Sequence, residues 1–450
     1  MARHPGLLAV IAFLSLFFVL FAGLTARTLA LSVLDQVNLS AQQAATTPTP
    51  TEAQGPLTPL QPQLVAGQRI PLPTHRSLLY EQGDGIYTIP IENLQPEDTA
   101  RPAPTPTPPE ATKLNTPGYE YNQSVPPLLT PADQLVYSGI GIWVLDLHHN
   151  TVKRIANWSD DLVITSLAMS QDGSTIAWST APLNGYGMID IYVQPLNGAP
   201  QQVHQQAAGH CPCFRVFSVL GSQQSHPTLL LTNDYGDHDP AAFGLWMLNT
   251  VQSGRQPAPT QLLDTQLEKG PLVSSSQANV LLYAGNEMLT PLPSDKSMPV
   301  PVGTEYYANS LYLAQVNAQQ QKLTNEQEIL SPQQQQSNIG LYHWVTTPTF
   351  SPNGQTLVYV VFSSQNEGPY TRHNSLYTAR LQYQNGSVKV STPQLLTPAA
   401  NAHLLELGTW LDGNTLTFFA DGNFYALNVQ SGTAAFLGIT KGYAHIIGSI

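Results

Sequence analysis

Apolar residues along the chain fall into short runs of five to eight, not into long helical stripes. Seven of these runs share one plan: an apolar strand, a turn or loop, then an apolar residue and an aromatic that open a second strand. The first strands hold Leu78-Leu79-Tyr80, Leu135-Val136-Tyr137, Ile176-Ala177-Trp178, Leu229-Leu230-Leu231, Leu281-Leu282-Tyr283, Leu357-Val358-Tyr359 and Leu416-Thr417-Phe418. Their partners open at Ile86-Tyr87, Ile142-Trp143, Ile191-Tyr192, Leu245-Trp246, Leu311-Tyr312, Leu376-Tyr377 and Phe424-Tyr425. Antiparallel hairpins repeating every 40 to 75 residues or so predict a β-propeller of seven four-stranded blades. Six blades is the alternative, because a proline-rich stretch separates the Leu78–Ile91 hairpin from the others.

Turn chemistry supports the same plan. Ser170-Gln171-Asp172-Gly173, Ser351-Pro352-Asn353-Gly354 and Leu411-Asp412-Gly413-Asn414 each precede a first strand. Ser or Asp at the start caps the backbone, proline presets φ, and glycine accepts the left-handed conformation. Such a turn joins an inner strand, as at Leu162–Met169, to the hairpin, and Thr151–Ala156 and Thr433–Leu437 supply fourth strands. The segments 351–360 (SPNGQTLVYV), 170–179 (SQDGSTIAWS) and 190–198 (DIYVQPLNG) resemble the repeat of TolB-type, WD-like β-propellers. The resemblance covers about 130–450 well and 66–95 less well. Ala132-Asp133-Gln134, Ser225-His226-Pro227 and Ser276-Gln277-Ala278-Asn279 depart from its Asp/Asn-Gly turn. It implies a ligand- or protein-binding platform in the bacterial envelope and no transferable catalytic set.

The hairpin loops are uneven. They span about four or five residues after Tyr80, Tyr137 and Phe418, but about 12, 13, 27 and 16 after Trp178, Leu231, Tyr283 and Tyr359. In four-stranded blades these loops open on one face, so blades 3 to 6 build a wall on that face; tolerated insertion is the plainer alternative.

Upstream of the repeats, Leu7–Leu24 is an uncharged apolar run long enough to cross a bilayer as a helix. Arg3 precedes it, which favours a cytoplasmic N-terminus with the remainder outside as a single-pass protein. A cleaved signal peptide, giving a secreted protein, is the alternative. Residues 25–65 form a Pro/Thr-rich linker, and 66–450 the propeller, with a disordered proline-rich insertion at about 95–131.

Composition narrows the function classes. Charged residues make up only 10%, and the net charge is −12 with 17 Lys plus Arg, which argues against nucleic-acid binding. G-x-S-x-G, H-E-x-x-H and the P-loop pattern are absent. Asp234, Asp237 and Asp239 concentrate carboxylates beside Gly236, as calcium sites do, but without EF-hand spacing; a solvated loop is the simpler reading. Cys211 and Cys213, beside His210, offer zinc ligands, a strained disulfide or idle thiols. No cofactor is expected beyond these calcium and zinc options. Tyr306, Tyr307, Tyr370, Arg372 and His373 lie in the two longest loops and suit a sugar or peptide surface. The expected activity is non-catalytic binding of an envelope protein or cell-wall component. An enzyme acting on glycans or small esters is the runner-up, and an envelope assembly scaffold the third reading.

Overall fold

Each of the seven apolar–aromatic signatures becomes a pair of neighbouring strands, and the two aromatic positions face each other across it. In the computed structural model, Tyr80 pairs with Tyr87, Tyr137 with Trp143, Trp178 with Tyr192 and Leu231 with Trp246. Tyr283 pairs with Tyr312, Tyr359 with Tyr377 and Phe418 with Tyr425. Where both members are aromatic the rings stack in five blades, with centroids between 5.0 Å (Phe418–Tyr425) and 5.6 Å (Tyr359–Tyr377). Directly opposed side chains are close enough for such stacking, worth about 0.5–1.5 kcal/mol beyond burial. The structure describes residues 77–90, 111–122, 125–208, 212–221, 226–233, 243–250, 258–263, 269–275, 279–287, 308–330, 342–364, 372–384, 387–396, 405–420, 423–439 and 445–450.

These residues form seven antiparallel sheets, one per blade. Blade 1 contains β1 (Ser77–Gln82), β2 (Gly85–Pro90) and β3 (Thr112–Lys113). Blade 2 is β4 (Leu128–Leu129), β5 (Gln134–Gly139), β6 (Gly141–Asp146) and β7 (Thr151–Ala156). Blade 3 is β8 (Leu162–Met169), β9 (Thr175–Pro182), β10 (Met188–Pro195) and β11 (Gln201–Ala207). Blade 4 is β12 (Phe214–Leu220), β13 (Thr228–Asn233), β14 (Phe243–Asn249) and β15 (Thr260–Leu263). Blade 5 is β16 (Lys269–Ser274), β17 (Val280–Glu287), β18 (Ala308–Asn317) and β19 (Lys322–Leu330). Blade 6 is β20 (Tyr342–Phe350), β21 (Thr356–Ser364), β22 (Arg372–Gln384) and β23 (Ser387–Val390), with β24 (Gln394–Leu395) also paired to β22. Blade 7 is β25 (Leu405–Trp410), β26 (Thr415–Ala420), β27 (Asn423–Asn428) and β28 (Thr433–Ile439). The last strand, β29 (His445–Ser449), returns to β1 as the innermost strand of blade 1.

That return closes the ring. Ser77 N–H donates to Ile450 C=O at 2.6 Å, and Ile450 N–H donates to Ser77 C=O at 2.9 Å. Seven apolar clusters fill the seven gaps between blades. Leu79 and Ile86 pack with Leu135 and Tyr137 between blades 1 and 2, Ile191 with Leu229 and Leu231 between blades 3 and 4, and Tyr80 with Phe424 and Ile446 between blades 7 and 1. The second strand of a blade is covered on both sides, so it reads as a continuous apolar run, and the first six residues of β9 are all buried. The outermost β7 is largely exposed, and its sequence mixes polar with apolar residues.

The expected turns form as their residues dictate. Ser170 Oγ donates to Asp172 Oδ1 at 2.7 Å and accepts from Thr175 N–H, and Gly173 takes φ +69°. Ser351, Asn353 and Gly354 repeat this geometry, with φ +65° at Gly354. In blade 2 the glycine position is Asp133, at φ +54°, and the cap is Thr130 Oγ1, which accepts from Gln134 N–H. In blade 2 the departure from the Asp/Asn-Gly pattern therefore leaves the turn intact.

The proline-rich stretch expected as an insertion at 95–131 is placed in its second part, residues 111–122 and 125–131. Its apolar residues serve the ring, with Leu114 packed between blades 1 and 2 and Val125 buried between blades 2 and 3. The apolar run at 7–24 and the linker at 25–65 lie outside the described residues. Among the described residues no helix is long and apolar enough to cross a membrane.

Candidate functional site on the loop face

Alternating strand direction gives the ring two faces. The connections from second to third strand, and from one blade to the next, open on one side, called here the loop face. The turns from first to second and from third to fourth strand open on the other, the turn face. Between β13 and β14, β17 and β18, and β21 and β22, the loop-face connections run over 234–242, 288–307 and 365–371. The connection after Trp178 is shorter than its sequence suggested. The β9–β10 ladder closes at Thr180 and Asp190, but β8 carries β9 on to Pro182 and β11 holds β10 from Met188, so only Leu183–Gly187 remain as loop.

Several expected site residues fall outside the described ones: Asp234, Asp237, Asp239, Cys211, Tyr306, Tyr307 and Tyr370. Arg372 and His373 open β22 on the loop face, paired in register with Ser364 and Ser363. Cys213 precedes β12, where its backbone N–H donates to Asn233 Oδ1 at 2.6 Å. Among the described residues no group of three metal-binding side chains converges.

The structure assembles a different polar cluster. Glu81, near the loop-face end of β1, is only 2% exposed. Tyr119 Oη donates to its Oε2 at 2.7 Å, and His445 Nδ1 lies 3.3 Å from its Oε1. Glu81 and His445 are register partners in β1 and β29. Tyr119 comes from the connector between blades 1 and 2. Burial, followed by the Glu81 hydrogen bond, pushes the Tyr119 phenol well above its ordinary range, so it remains a donor.

The connector is held close to β5. Tyr119 bridges to Gly139, its ring packs edge-on against Tyr137 at 6.1 Å, and Tyr137 Oη donates to Pro117 C=O at 3.0 Å. A side chain at Gly139 would begin 1.6 Å from Gly118 C=O, so glycine is required there. The residues after the seven first-strand aromatics or their equivalent are Glu81, Ser138, Ser179, Thr232, Ala284, Val360 and Phe419. Glu81 is the one acidic residue among them, a signal that sequence reasoning could have used.

Glu81 thus sits where β1, the closing strand β29 and the connector meet, bonded to Tyr119 through one oxygen and with His445 beside the other. Nearby Asp84 is exposed. The Tyr87 hydroxyl, followed by Lys113, holds its carboxyl below the ordinary range. Tyr87 Oη donates to Asp84 Oδ1 at 2.7 Å, and Lys113 Nζ lies 3.1 Å from Oδ2.

The loop face also carries apolar surface. The exposed large hydrophobic residues among those described are Tyr121, Ile140, Leu183, Tyr186, Met188 and Leu395. All but Leu395 sit on loop-face connections or strand ends from the connector after blade 1 through blade 3. Tyr186 is 84% exposed and Leu183 65%. Tyr186 is presented by a tight loop in which its N–H donates to Asn184 Oδ1 at 2.9 Å, and Gly185 and Gly187 take positive φ.

No protein-family model matches the chain, and no curated protein matches it. Solved structures do. An oligogalacturonate lyase from Vibrio parahaemolyticus aligns over 80% of this chain and 85% of its own, at 11% identity and a TM-score of 0.44. A manganese complex of an oligogalacturonate lyase aligns over 83% and 86%, at 13% identity and a TM-score of 0.42. The tricorn protease aligns over 84% of this chain but 36% of its own, at 11% identity and a TM-score of 0.41.

Proposed function

We propose that this protein is a non-catalytic docking head that captures a protein partner on its loop face. The observation that carries this reading is the gathering of Tyr121, Ile140, Leu183, Tyr186 and Met188 on one face of adjacent blades. Exposed apolar groups grouped on one face, with aromatics among them, favour protein association. Arg372 and His373 open β22 on the same face in blade 6. The apolar run at 7–24 supports an envelope setting: an uncleaved anchor with a cytoplasmic N-terminus and the propeller outside, in the manner of TolB-type envelope propellers. The chain enters β1 at Ser77 from the turn face, opposite the apolar patch. An envelope protein is the partner this arrangement suits. Replacing Ile140, Leu183 and Tyr186 together with serine should reduce recovery of the crosslinked partner from intact cells while leaving the melting temperature unchanged. Unchanged recovery would exclude the patch.

An enzymatic reading draws on one observation, the buried Glu81 beside His445 and Tyr119. Glycoside hydrolysis uses two carboxylates on either side of a substrate, whereas Glu81 is approached by two of the protein's own side chains. Hydrolysis of chromogenic glycosides or esters that is abolished by Glu81→Gln would favour this reading over docking.

A further inference from the structure

A groove of about 810 Å³ opens on the turn face between blades 6 and 7, far around the ring from the loop-face patch. Two irregularities of blade 6 create it. The 13-residue β22 outruns β21, whose ladder ends at Thr356–Arg380, and its last four residues form a hairpin with β23. The extra strand β24 then pairs back to Tyr377 and Thr378. The opposite wall is the Gly413–Asn414 turn and Gln430 of blade 7.

The polar lining is neutral, of amides and hydroxyls, apart from one cation. Gln355, Gln382, Gln384, Gln394 and Arg380 all reach the groove. Among the described residues, neither their side-chain amides nor the Arg380 guanidinium has a protein hydrogen-bond or ion-pair partner. The aromatic lining residue, Tyr383, is fixed by its hydroxyl, which donates to Gly354 C=O at 2.7 Å. No acidic side chain is among the lining residues.

We propose that this groove binds an acidic glycan strand, with Arg380 taking the carboxylate and the glutamine amides taking hydroxyls. An amide offers both a donor and an acceptor, as a sugar hydroxyl requires, and a guanidinium pairs with a carboxylate through two parallel hydrogen bonds. The volume falls in the usual range for a ligand site. An acidic peptide fits less well. Peptide grooves read side chains through apolar pockets, and the aliphatic lining here, Leu381 and Val429, is itself buried in the blades. The site is separate from the loop face, so it stands or falls independently of partner docking.

The test is calorimetric titration of the full chain in detergent with soluble oligosaccharides containing glucuronate, galacturonate or muramate. Their carboxyl-reduced forms and a Glu/Ser peptide of similar length serve as comparisons. At least one acidic oligosaccharide should bind, and Arg380→Gln should weaken it by about tenfold or more. Carboxyl reduction should weaken binding to the unaltered protein similarly and have little further effect on R380Q. Gln382→Ala with Gln394→Ala should weaken acidic and reduced forms alike. Absence of binding by every acidic oligosaccharide, binding indifferent to Arg380→Gln, or tighter binding of the peptide would overturn the proposal.

Discussion

Tyr119 donates a 2.7 Å hydrogen bond to Glu81, joining the connector after blade 1 to a carboxylate that is almost wholly buried beside the closing strand. Removing the donor strands that carboxylate. Tyr119→Phe should therefore cost about 1–3 kcal/mol in urea unfolding. Glu81→Gln should cost less, because an amide oxygen still accepts from the phenol. A larger loss for Glu81→Gln would show that the hydrogen bond is not what matters there.

Tyr359 makes the opposite case. It is fully buried, and its hydroxyl has no hydrogen-bond partner among the described residues. Tyr359→Phe should leave stability unchanged or raise it, whereas Tyr359→Ala should cost about 3–5 kcal/mol by emptying the space against Tyr377. Thermal unfolding of the two variants separates the hydroxyl from the ring.

Gly139 sets the position of Tyr119 through backbone contact. Gly139→Ala must push the 117–120 segment away from β5 and with it the phenol from Glu81. Its cost should exceed about 2 kcal/mol. The Gly139→Ala/Tyr119→Phe double variant should lose less than the sum of the two, since both remove the same hydrogen bond. Strict additivity in a double-mutant cycle would refute the link.

Stability should also fall in strong alkali. Burial raises the phenols of Tyr119, Tyr137, Tyr283 and Tyr359 above their ordinary value of 10.0. A group whose folded value is raised stabilises the fold fully below its unfolded value, and that contribution disappears as pH climbs. Unfolding free energy should therefore hold steady up to about pH 10 and decline above it, with tyrosinate absorbance rising in step with unfolding. Asp172 acts at the other end. Burial raises its carboxyl, but hydrogen bonds from Ser170 and Ser174 outweigh this and lower it below 3.8. Its contribution is present above that value and lost as acid protonates it.

The scaffold was legible because the ring repeats its chemistry. Tyr80 and Tyr87, or Phe418 and Tyr425, mark the same cross-strand position in blade after blade, and Leu162–Met169 and Thr151–Ala156 are strands as expected. Blade 1 joins the ring despite the proline-rich interruption because β29 supplies its inner strand from the other end of the chain. Polar sites were not legible by the same logic. Glu81 and Tyr119 are separated by the proline-rich stretch, and His445 reaches them only on ring closure. The loop after Trp178 was overestimated because Thr180, Ala181 and Pro182 stay paired to Ile164, Val163 and Leu162 of β8, which composition alone does not signal. The groove beside Arg380 depends on where β22 outruns β21, a register fact that residue types do not carry.

Docking on the loop face is tested most directly by a photo-crosslinking residue placed at Tyr186 in intact cells, with a second probe at Gln430 on the turn face. Tyr186 should give one discrete protein adduct that Leu183→Ser weakens, and Gln430 should not give that adduct. No adduct from Tyr186, or the same adduct from both faces, would contradict a loop-face docking head.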